Sequence, residues 1–174
     1  MKTKKIDIVS AESSIDWTGK KMTGSHNGTI SIKSGTLLFD EDKLSGGNFV
    51  IDTSSIKILD ITDPTLNAQF AGHLFSNDFF AIERFPEASF IITNAEHISG
   101  DRYIITGDMT IKAITQQVKF EAIVLTKNDR VVASGKIIVD RTKHDIKFRS
   151  GNFFTNLGDT LIYNDFELDV KLVA

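Results

Sequence analysis

The residues best placed to do chemistry near neutral pH are four histidines, His26, His73, His97 and His144. None belongs to a metal pattern such as HExxH. The chain has no cysteine, which removes disulfides, thiolate zinc sites and a cysteine nucleophile. Asp60-Ile61-Thr62-Asp63 resembles an acidic pair, but its spacing and lack of glycine do not make a calcium loop. Asp40-Glu41-Asp42 reads as a solvated turn and Glu83-Arg84 as an exposed pair. No nucleophile elbow, phosphate loop or dinucleotide fingerprint is present. No catalytic set, no metal site and no cofactor motif therefore emerges. Two polar groups remain. His73 sits near the end of a helix, where it caps or hydrogen-bonds. Asp140, Arg141, Lys143, His144 and Asp145 are dense enough to form a polar rim, or a headgroup contact, at the mouth of a pocket.

The other unusual feature is apolar. Phe70, Phe75, Phe79, Phe80, Phe85 and Phe90 place six of 13 phenylalanines within 21 residues. Asp63 is a good N-cap and Pro64 suits the first helical position, so a helix is expected over about 63–76. Leu66, Phe70 and Leu74 recur every four residues and share one face of it. A break at Ser76-Asn77-Asp78 follows, then an aromatic knot that ends before Pro86. The helix and knot read as a plug for a β core, or as one wall of an apolar cavity.

Almost everything else alternates with period two, as half-buried strands do. Ile15 and Trp17 oppose Asp16 and Thr18. Ala88, Phe90 and Ile92 share a face, as do Tyr103, Ile105, Met109 and Ile111. Val118, Phe120, Ala122 and Val124 follow, and Phe166, Leu168, Val170 and Leu172 close the chain. Short polar turns separate these runs, which describes an antiparallel meander. Roughly eight to ten one-sided strands cannot lie open without exposing an apolar face and two edges. One helix cannot cover that area. An all-β barrel with the helix at a mouth is expected, with two stacked sheets as the alternative.

The chain's 174 residues suit one domain, with residues 1–13 as a polar lead-in and 14–174 as the barrel. A net charge of −3 with scattered basic residues argues against nucleic acid. No apolar run approaches the ~18 residues of a membrane span. The N-terminus has lysines but no apolar region behind them. The protein is then periplasmic, if a leader has been removed, or cytoplasmic.

In order and spacing, several segments resemble the YceI-like family of lipid-binding, lipocalin-like barrels. They are SIDWTGK from Ser14, His26-Asn27-Gly28, FVIDTSSI from Phe49, and HLFSNDFF from His73 followed by Arg84-Phe85-Pro86. TGDMTIK from Thr106 and Asp140-Arg141 complete the set. The resemblance covers nearly the whole chain. It implies an eight-stranded antiparallel barrel, a tunnel for isoprenoid or other long apolar chains, export and a possible homodimer. Ala113 stands where the family often has glycine. Residues 142–159 replace a shorter aspartate-phenylalanine-glycine pattern.

The expected function is non-catalytic binding, storage or transport of an apolar lipid, an isoprenoid, isoprenoid quinone or fatty chain, with no cofactor. An esterase- or isomerase-like enzyme and a filled structural barrel are the alternatives. Trp17, Phe90, Met109, Phe120 and Phe166 are expected to line the tube from the strands. Leu74, Phe79, Phe80 and Phe85 join them from the plug. His73, Arg141 and His144 form the polar rim.

Overall fold

The computed structural model describes residues 3–151, 157 and 161–174; the remainder of the 142–159 segment lies outside the described residues. Nine antiparallel strands form one sheet: β1 (Thr3–Asp7), β2 (Ser14–Lys21), β3 (Gly24–Asp40), β4 (Lys43–Ile58), β5 (Glu87–Ser99), β6 (Arg102–Ile111), β7 (Ile114–Lys127), β8 (Arg130–Asp140) and β9 (Ile162–Val173). Their order is β1-β3-β2-β9-β8-β7-β6-β5-β4, and β4 pairs back onto β3, so β2 to β9 close into an eight-stranded barrel. Among the described residues there is one α-helix, α1 (Pro64–Phe75), which joins β4 to β5. Closure leaves each of those strands a partner on both sides, which stacked sheets would not.

Residues 3–13 of the expected polar lead-in lie against the barrel. β1 pairs with the far half of β3, Thr3 opposite Asp40 and Asp7 opposite Thr36. β2 pairs with the near half, Ile15 opposite Ile30. The two segments lie along the same edge of β3, interrupted by a 3₁₀ turn at Ser10–Glu12. Residues of β1 are mostly exposed, only Ile6 being half-buried, so the apolar alternation that reveals a strand in sequence is missing here.

The helix forms as its ends dictate. The Asp63 carboxylate accepts the Leu66 N–H at 3.0 Å, and Pro64 opens the first turn. Ser76 closes it, donating its hydroxyl to the His73 carbonyl at 2.6 Å. Leu74 is buried and Phe70 half-buried, but Leu66 is 56% exposed. The apolar face is thus narrower than the four-residue spacing implies. Asn67 ties the helix to the barrel through the carbonyls of Ile58 and Ile61. After it the chain folds into successive turns, with Ala81 at a φ of 47°. Phe85 and Pro86 are anchored to β4, their carbonyls accepting the Thr53 hydroxyl and N–H.

The barrel is unevenly filled. Away from the helix its interior is packed by Leu37, Phe39, Phe49, Phe90, Tyr103 and Ile105. Phe49, Phe90 and Phe120 run in sequence there, with ring centroids 5.4 and 5.8 Å apart. The apolar space implied by the resemblance is therefore confined toward the helix end.

Candidate functional site

Two splayed seams at the helix end shape the site. β4 pairs with β5 only from Gly47 to Asp52, and α1 with its aromatic knot fills the gap beyond. β7 pairs with β8 only from Ala122 onward, and a 3₁₀ turn at Arg141–His144 fills that gap. His144 is fully buried, and its Nδ1–H donates to the Ile114 carbonyl at 2.9 Å. Burial lowers its pKa from 6.5, against the opposing pull of the Ile114 and Ile111 carbonyls and the Asp140 charge. Gln116 and Lys112 reach the carbonyls of Lys143 and Asp145. His144 is a stitch between strands and not part of a rim facing the cavity.

Beneath the helix lies an apolar cavity of about 150 Å³. Trp17 of β2, Met109 of β6, and Phe166 of β9 line it, as do Leu74, Phe79 and Phe80 from the plug. So six of the nine residues expected to line a ligand tube meet there. The other three do not. Phe90 and Phe120 face inward but belong to the packed half. Phe85 is half-buried outside the cavity, with the Arg84 guanidinium 4.9 Å from its ring centre. Ile30, Ile51, Ile56, Phe70, Ala88 and Ile162 complete much of the wall and were not anticipated individually. The inward parity of Ile30, Ile51 and Ala88, each in the half of its strand on the helix side of the barrel, was the signal available for them.

The plug's rings interlock. Phe79 and Phe148 both meet the His73 ring edge-on, with centroids 4.9 and 4.6 Å away. His73 does not line the cavity; its Nε2 lies 3.2 Å from the Asp78 carboxylate on the half-exposed outer side. Phe80 meets Phe166 across the cavity at 6.3 Å. His26, which does line it, packs against Phe70 at 4.8 Å and pairs with Asp60 at 2.8 Å. Burial pushes the Asp60 carboxyl up, but the Asn27 N–H and His26 outweigh it and hold the pKa below 3.8. Gly28 explains the His26-Asn27-Gly28 run. It sits between Trp17 and Ile58, and a Cβ there would collide with the Lys57 carbonyl and come 2.8 Å from the Trp17 ring. The same Lys57 carbonyl accepts the Trp17 indole N–H at 3.2 Å.

Arg141 is the one expected rim residue that reaches the cavity. Only 4% exposed, it donates to the carbonyls of Tyr163, Ile146 and Ile162 at 3.0, 2.9 and 3.0 Å. Burial lowers its pKa, opposed by Asp140. No carboxylate of the described residues lies within ion-pair distance of it. Among the described residues, no group of three or more histidines and carboxylates could hold a metal, and no helix is long and apolar enough to cross a membrane.

Comparison with known proteins agrees with this architecture. Protein YceI of Salmonella arizonae is 32% identical over 133 residues, covering 75% of this chain and 65% of that protein. The chain thus spans just under two thirds of the length of the curated relatives it matches. Burkholderia cenocepacia BcnA shares the fold with a TM-score of 0.76 at 20% identity, over 96% of this chain and 99% of BcnA. A polyisoprenoid-binding domain from Saccharophagus degradans, implicated in plant cell wall breakdown, has a TM-score of 0.69 at 11% identity, over 96% and 95% of the two chains. The YceI-like domain model matches residues 6–174, and the chain belongs to that family.

Proposed function

We propose that the protein binds the apolar tail of an isoprenoid or fatty-chain lipid in the cavity beneath α1, and holds or carries it without chemical change. The observation that carries this reading is an apolar cavity retained in a barrel whose other half is filled by buried side chains such as Leu37, Phe49, Phe90 and Ile105. Keeping a void costs packing contacts, and an apolar tail restores them while leaving water. Each methylene so transferred contributes about 0.8 kcal/mol. The polyisoprenoid-binding neighbour supports the same class of ligand.

The cavity sets a limit. An apolar cavity of about 150 Å³ takes a group the size of a benzene ring or one isoprene unit. One end of a longer chain fits inside; the rest lies beyond the wall or requires the plug to move.

Mass spectrometry of organic extracts from the purified protein tests the reading. A co-purifying isoprenoid or fatty chain is expected. A clean extract, with no uptake when such lipids are added, would favour the competing reading of a barrel filled by its own side chains.

A further inference from the structure

A third irregularity interrupts the barrel wall at the helix end. β2 and β9 pair down to Gly19 opposite Phe166 and resume at Lys21 opposite Ile162. Lys20 therefore faces three residues of β9, Tyr163, Asn164 and Asp165. On its other side β9 leaves β8 at Asp165. Tyr163 and Asn164 thus stand outside both ladders. The inner cavity reaches the surface here: Gly19, Lys20, Lys21, Tyr163 and Asp165 all border it, although Lys20, Lys21, Tyr163 and Asp165 are exposed. A more polar recess on the outer face shares Lys20, Ile162, Tyr163 and Asp165 with the cavity. The seam is a wall common to both spaces.

Its charges are sorted between the two sides. Lys20, Lys21 and Arg141 border the cavity with the single carboxylate of Asp165, whereas Asp140, Asp165 and Glu167 line the outer recess with Lys20. Lys20 is held loosely, 3.9 Å from Glu167, which Lys136 also approaches at 3.6 Å. Lys21 has no ion-pair partner among the described residues. Arg141 spends its hydrogen bonds on neutral carbonyls, two of them on the β9 lip itself. Asp140 acts on that guanidinium only from beyond ion-pair distance, and a guanidinium buried beside an apolar space without a carboxylate in contact is costly, a cost that an arriving anion offsets.

We propose that the β2–β9 seam is the portal of the cavity, and that its cations select a lipid whose head is an anion, a carboxylate or a phosphate. This rests on the reading of the cavity as a lipid site. The tail passes inward past Gly19 and Phe166; the head stays at the seam between Lys20, Lys21 and Arg141.

Titration calorimetry at low ionic strength with decanoate, decyl phosphate, decanol and decyltrimethylammonium tests the head. The better-bound anion is expected to exceed decanol by about tenfold, the worth of one charge-assisted hydrogen bond, with decyltrimethylammonium weakest. Which anion leads separates a carboxylate from a phosphate source. Lys20→Glu with Lys21→Glu should abolish the preference, while Lys127→Glu, on the β7–β8 hairpin at the packed end, should keep it. Equal binding of decanol and both anions, or equal loss in the Lys127→Glu control, would overturn the anionic head and leave the lipid reading intact. If no decyl compound binds, the lipid reading itself fails. The portal is tested separately by Gly19→Phe. A Cβ at Gly19 meets no atom within 4 Å, so a side chain can leave the backbone there without a clash, and the unchanged melting temperature checks that the ring is tolerated. Association of decanol and decanoate, followed by stopped flow, should slow with the melting temperature unchanged; an unchanged rate would place admission over the helix instead.

Discussion

At the scale of single residues, the cavity separates side chains that look alike in sequence. Phe79 is buried against His73 and Phe148, whereas Phe80 is half-buried and reaches across to Phe166. A charge at Phe79 must be buried to be tolerated, so it strikes folding first. A charge at Phe80 can turn toward solvent, but in doing so opens the apolar wall. Phe80→Glu is therefore expected to weaken lipid uptake by at least about tenfold, while costing roughly 1–2 kcal/mol of stability. Paired extraction and denaturant titration check this; equal loss of both would remove Phe80 from the ligand wall. His144 acts differently. Buried and neutral, its folded-state pKa lies below 6.5, so on acidification the unfolded chain takes up the proton first. Its contribution is complete above about pH 6.5 and is lost as pH falls toward the folded value. Unfolding free energy measured at pH 7.5 and 5.5 should fall with acid, and His144→Gln should flatten that slope while lowering stability at both pH values.

At the scale of elements, turns and seams carry the local compromises. The β6–β7 hairpin turns through Lys112 and Ala113 at φ of 54° and 62°, both left-handed. Glycine would occupy that conformation without the Cβ penalty. Ala113→Gly should therefore stabilise the protein by about 0.5–1 kcal/mol, raising the melting temperature by roughly 1–4 °C. A fall in a thermal scan would show that the loss of chain stiffness outweighs the relief. The same elements show what sequence can reveal. The helix was legible because Asp63, Pro64 and Ser76 mark its ends by backbone chemistry that tertiary packing does not override. The strands were legible because each buries one face. β1 was not, because TKKID buries almost nothing and is held by its ladder to β3. Phe90 and Phe120 mark a subtler limit. Period-two alternation tells which way a side chain points, inward or outward, and is silent about its height along the barrel axis. Height decides whether an inward ring packs the closed half or lines the cavity, and it follows from register between strands distant in sequence. The β2–β9 seam was hidden for the same reason, since Lys20 and Tyr163 meet only through that register.

At the scale of the whole molecule, a half-filled barrel measures its ligand. A tunnel open throughout would accept each added carbon on equal terms. Here the floor is solid, the plug is interlocked by Phe79, His73 and Phe148, and the space between them is about 150 Å³. For a series of straight-chain alcohols, affinity should climb about fourfold per methylene, the equivalent of 0.8 kcal/mol, while each new carbon is buried. Once the cavity is full, further carbons lie at the seam or in solvent and add little. The climb is expected to flatten after roughly five to eight carbons, since an apolar cavity of this size takes a benzene-sized group. Isothermal titration from butanol to dodecanol reads this directly. A climb that continues undiminished through dodecanol would mean that the plug swings aside and the barrel repacks around a longer tail. In that event Phe79→Ala, by loosening the interlocked rings, should steepen the long-chain end of the series and leave butanol little changed. A barrel that stays rigid predicts the reverse: truncating Phe79 enlarges the cavity by a fixed amount, and the plateau moves to longer chains by a few carbons.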